Sequence, residues 1–113
     1  MWYNFFMKIH FTYLPKLYIA DSLLNKDLGK LKKSLSKGVP GLCAILLSEN
    51  EHNQLDLVDS IMLHGCEYKH SKPTLVGIAG SKSEALELLC IIAKDSIEMT
   101  GSADMKEYIQ CYL

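Results

Sequence analysis

Apolar and polar positions alternate over residues 8–14 (KIHFTYL), with Ile9, Phe11 and Tyr13 on one side and Lys8, His10 and Thr12 on the other. A period of two with aromatic and branched side chains predicts a half-buried strand, which Pro15 is expected to end. Residues 1–7 read as a leading extension of the single domain, and Met7 is itself a possible start. From residue 22 the period lengthens. Leu24, Leu28, Leu31 and Leu35 form one helical stripe, and Lys26, Lys30, Lys33 and Lys37 repeat the spacing two residues on. At about 100° per residue the lysines lie opposite the leucines, so the pattern predicts an amphipathic helix over about 22–37. Asp21 or Ser22 can cap it, and Gly38 with Pro40 stops it.

Two continuous apolar runs follow, GLCAILLS (41–48) and TLVGIAG (74–80). Short runs of this kind between turn residues predict strands covered on both faces. Between them, 49–54 is a polar loop, 64–73 a loop or edge, and LDLVDSIMLH (55–64) fits a short helix or neither state clearly. After the second run, Ser81 and Glu84 have the spacing of a capping box. The helix they open, over about 82–99, is apolar around most of its circumference, through Ala85, Leu86, Leu88, Leu89, Ile92, Ala93 and Ile97. Such a helix is expected to be nearly enclosed, by its own sheet or by a partner subunit. Gly101 ends it, and Ser102 can cap a short last helix over 103–110. The order predicts one small α/β domain spanning 1–113, with α+β as the alternative: two or three strands packed by helices.

Composition narrows the functions. The 113 residues are 49% hydrophobic with a net charge of -1, which excludes a disordered chain. No run reaches the roughly 18 apolar residues of a membrane span. All twelve basic residues are lysine. Arginine carries the planar fork that reads guanine edges and phosphates in bidentate fashion, so sequence-specific DNA reading is disfavoured and only non-specific attraction to phosphates stays open. The charge is also unevenly spread, with a balance of +5 over residues 1–40 and -6 over 41–113. Four cysteines (43, 66, 90 and 111) with no convincing signal peptide suit free thiols in a reducing cytoplasm.

Candidate chemistry is sparse. Gly80, Ser81, Lys82 and Ser83 join a strand to a helix N-terminus, where free amides could hold a small anion, yet neither a P-loop nor a Gly-x-Gly-x-x-Gly run is present. Glu84 in the first turn would repel that anion. His64, Cys66 and His70 are the densest set of metal-type ligands, at a spacing that matches no common zinc pattern. The face of Lys26, Lys30, Lys33 and Lys37 could meet phosphates or an acidic protein, but no aromatic residue interleaves with it as a stacking platform requires. No nucleophile-base-acid set can be read, and no cofactor is expected.

The C-terminal part carries a further pattern: Val76 to Ala79, Glu84 to Leu88, Thr100-Gly101, and Asp104 with Tyr108-Ile109. It resembles a group of small uncharacterised bacterial proteins that share a strand ending in V-G-I-A, a helix opening near E-A-L-E-L, then T-G and D-x-x-x-Y-I. The resemblance implies a small cytoplasmic α/β protein and carries over no catalytic residue. The resulting expectation is a non-enzymatic interaction module acting as a homodimer, with the 82–99 helix and residues 1–7 as contacts. Its alternatives are an anion-binding protein using Gly80–Ser83 and non-specific nucleic-acid association through the lysine stripe.

Overall fold

The computed structural model describes residues 9–64 and 72–113. The expected extension over 1–7 and most of the 64–73 loop lie outside them. The elements are β1 (Thr12–Ile19), α1 (Leu28–Lys37), β2 (Cys43–Leu47), β3 (Leu55–Asp59), β4 (Thr74–Ala79), α2 (Lys82–Thr100) and α3 (Met105–Tyr112), with 3-10 helices at Asp21–Leu23 and Ser60–His64. The strands form one mixed sheet in the order β1-β4-β2-β3, where β4 is parallel to β1 and antiparallel to β2, and β2 and β3 form a hairpin. The α/β expectation holds, with four strands in place of two or three.

The two apolar runs lie side by side in the middle of the sheet. Above and below them sit two separate cores. On one face Leu31 and Leu35 of α1 pack on Ala44, Leu46, Leu75 and Ile78. On the other, Ala85, Leu88 and Ile92 of α2 and Tyr108 and Ile109 of α3 pack on Cys43, Ile45, Val76 and Ala79. Burying both faces is what makes these strands read as unbroken hydrophobic runs.

Four expectations are corrected. The fourth strand comes from residues 55–59, where Leu55–Leu47 and Asp59–Cys43 bound an antiparallel register; its intermediate burial gave it no clear period. Pro15 does not end the first strand. Tyr13 pairs with Leu75 and Tyr18 with Gly77, so residues 14–17 bulge out of an edge strand, a position where a missing N–H costs no ladder bond. The lysine-striped helix starts at Leu28, because Asp27 caps it by accepting from Gly29 N at 2.8 Å. Leu24, before it, is 62% exposed. The helix closes on Gly38 at φ 74°, with Gly38 N–H donating to Leu35 and Val39 N–H to Ser34, the paired bonds of a Schellman stop. The last helix is capped by Asp104 instead of Ser102: its carboxylate accepts from Glu107 N at 3.1 Å.

One residue resets the central strands. Ile45 faces Gly77 and Leu46 faces Leu75, leaving Val76 as an extra residue on β4. A bulge of this kind puts two successive side chains on one face. Val76 thereby joins the α2-side core, while Ile78 returns to the α1 side.

Candidate functional site

Helix α2 begins as its sequence dictates. Ser81 Oγ accepts from Glu84 N at 3.2 Å, and the Glu84 carboxylate turns back to take Gly80 N–H at 2.9 Å and the Ser22 hydroxyl at 2.7 Å. The anion at this helix N-terminus is therefore the chain's own. Gly80, Ser81, Lys82 and Ser83 are brought together there, and an external phosphate would have to displace Glu84, which holds both a backbone amide and a hydroxyl. At the other end Gly101, at φ 78°, donates to Ile97 O at 2.8 Å. The buried Ser96 hydroxyl donates to Ser102 O at 2.7 Å, pinning the turn into α3.

Between these ends the helix is not enclosed. Its inner side, through Ala85, Leu88, Ile92 and Ser96, is buried. Outward, Leu86 is 53% exposed and Ile97 52%, and Ile91 and Met99 are similarly bare. Cys90 is also exposed, with Ala93 half-buried. Leu86, Cys90, Ala93 and Ile97 fall at intervals of four, three and four, which at 3.6 residues per turn form one continuous stripe. Polar Glu87, Lys94 and Glu98 run along one flank.

The lysine face occupies the other side of the sheet. Lys30, Lys33 and Lys37 are exposed on α1, and Lys26 lies just before it. A groove runs along each side of the helix. One, of about 530 Å³, is bounded by Lys26, Asp27, Lys30, Ser34 and the Val39–Leu42 segment. The other, of about 510 Å³, is bounded by Lys32, Lys33 and Ser36 of α1, by Ile9, His10, Phe11 and Tyr13, and by Lys72. The Lys32 ammonium stands over the Tyr13 ring at 4.4 Å from its centroid, a cation–π contact. Phe11 lies against Tyr13 with centroids 6.0 Å apart. The sequence pattern named Lys26, Lys30, Lys33 and Lys37 and missed Lys32, Lys72 and the two aromatics. The signal lay in the strand alternation that put Phe11 and Tyr13 on one side, but what brings them to α1 is tertiary.

A third cluster joins distant segments. Tyr18 of β1 donates its hydroxyl to Asp95 Oδ2 of α2 at 2.7 Å and lies 2.9 Å from the Tyr108 hydroxyl of α3. Burial, then the hydrogen bonds to Tyr108 and Asp95, push the Tyr18 phenol far above its ordinary range. A phenol held so firmly protonated is a donor that locks three elements, not a base or nucleophile. Cys43 is likewise unreactive in character. Burial, and next the nearby Asp59, raise its thiol, against a smaller lowering by Lys82, and a thiolate is what reacts.

Cys66 and His70 lie outside the described residues, as does the side chain of His64. Among the described residues no three His, Cys, Asp or Glu side chains converge as a metal set would. No helix among them is long and apolar enough to cross a membrane. Comparison with protein-family models, with curated proteins and with solved structures finds no match for this chain.

Proposed function

We propose that the protein is a non-enzymatic interaction module that works as a homodimer, paired through the outer stripe of α2. The observation that carries this reading is the apolar seam itself. Leu86, Cys90, Ala93 and Ile97 have a spacing that reads the same in both directions. A two-fold axis through the middle of the helix sets Leu86 against the partner's Ile97, and Cys90 against the partner's Ala93. Such a surface is self-complementary, as an isologous contact requires. The small central pair lets the helices approach at the short end of the usual 8–10 Å range. The same axis brings Glu87 beside the partner's Lys94, twice per dimer, and opposes the two helix dipoles favourably. Leu86 and Ile97, two of the large exposed apolar side chains of α2, thereby gain cover, as contiguous bare apolar surface on a small protein commonly does.

Sedimentation equilibrium at micromolar concentration tests this. The expected result is a dimer for the native chain and a monomer for Ile97→Lys, with the thermal midpoint of the variant unchanged at concentrations where both are monomeric. A native chain that sediments as a monomer throughout that range overturns the reading.

A further inference from the structure

We propose that the groove between α1 and the segment 9–13 binds single-stranded nucleic acid without sequence preference. The site is independent of the α2 seam and lies on the opposite face of the sheet. Three features of the groove converge on this ligand. Lys32, Lys33 and Lys72 line it together with His10, and among the described residues its lining holds three ammonium groups and no carboxylate. An aromatic residue, Tyr13, stands among these cations and is 36% exposed. The groove holds about 510 Å³, within the roughly 300–1,000 Å³ of ligand sites.

The chemistry separates this ligand from its rivals. Phosphates need point charges, which lysines supply. A base needs a flat partner, and stacking on a tyrosine is indifferent to which base is present. Phe11 is tilted against the Tyr13 ring and the Lys32 ammonium stands over it, holding the ring at the groove. Bidentate reading of base edges calls for arginine or for amide side chains; the chain has no arginine, and no amide side chain is among the described lining residues. A duplex would hide its bases from Tyr13. An acidic peptide would meet the lysines but has no use for the ring. The second groove, beyond α1, carries Lys26 and Lys30 but also Asp27, so the unopposed lysines lie in the first.

The test is fluorescence anisotropy of a labelled oligo-dT on the full-length protein, against titrated salt. Expected is binding whose logarithmic salt dependence loses about two units of slope in the combined variant Lys32→Ala, Lys33→Ala, Lys72→Ala, as loss of three phosphate contacts implies. Tyr13→Ala is expected to weaken binding about tenfold, and Tyr13→Phe to restore it. Circular dichroism compares the fold of each variant with the native chain. Three results overturn the proposal: no binding of oligo-dT at low salt, an affinity that Tyr13→Ala leaves unchanged in a folded protein, or equal competition by polyglutamate of the same length, which would make the face a protein-docking surface.

Discussion

Tyr18 shows how much a single hydroxyl can organise. Its oxygen lies within hydrogen-bond distance of groups from α2 and α3 at once, so it ties the edge strand to both helices. Replacing it by phenylalanine removes the donor to Asp95 and is expected to cost about 1 kcal/mol at neutral pH, measured by urea unfolding. The pH dependence has a definite sign. The phenol is raised in the folded state above its unfolded value of about 10, so its contribution is complete below that pH. Above it the unfolded chain ionises while the folded one does not, and stability falls. Tyr18→Phe is therefore expected to flatten the alkaline loss of stability beginning near pH 10. Sequence gave no access to this cluster, because its members are 77 and 90 positions apart. The Ser81 cap, three residues from Glu84, was readable because both partners share one turn. Even there Glu84 reaches back to Gly80 instead of Ser81, drawn by the Ser22 hydroxyl that only the fold supplies.

Elements were legible where one physical demand dominated. The runs at 41–48 and 74–80 had to be interior strands, since only burial on both faces tolerates so many aliphatics in so few residues. Residues 55–59 sit at the sheet edge with intermediate burial, so neither period stands out and the hairpin was not read. The reset on β4 was equally hidden, because a strand apolar on both faces shows no alternation to interrupt. That reset gives Gly77 a specific role. A Cβ there would lie 2.7 Å from the Tyr18 carbonyl oxygen and 3.1 Å from Tyr18 Cβ. Backbone, unlike the end of a flexible side chain, cannot step aside. Gly77→Ala is expected to lower stability by about 2–3 kcal/mol, seen as a lower urea midpoint, and to loosen the β1–β4 pairing in amide exchange. The α1 stripe is legible at Leu28, Leu31 and Leu35, but Leu24 falls before the helix, because residues 21–23 form a 3-10 turn and the cap is Asp27 instead of Asp21 or Ser22.

At the scale of the molecule, the charge asymmetry of the sequence becomes a division between faces. Lys26, Lys30, Lys32, Lys33 and Lys37 lie on or just before α1, whereas Glu84, Glu87, Glu98, Asp104 and Glu107 lie on or beside α2 and α3. The two candidate surfaces therefore differ in kind, one cationic and grooved, the other apolar with mixed charge on its flank. The strand order has a separate consequence for how the chain comes to be made. Thr12 is in register with Thr74 and donates its N–H to Pro73 O, and β2 has β4 for one of its two neighbours. A fragment ending at residue 73 is expected to show no cooperative unfolding, because it lacks the strand that joins β1 to β2 and the helices that cover one face. During synthesis, then, the ribosome delivers an amino-terminal strand that has no mate until some sixty further residues have emerged. Such long-range closure slows folding and prolongs the exposure of sticky intermediates. Pro15 and Lys16, set in the bulge of that waiting strand, are the kind of residues that keep an unmated edge from recruiting a neighbouring nascent chain.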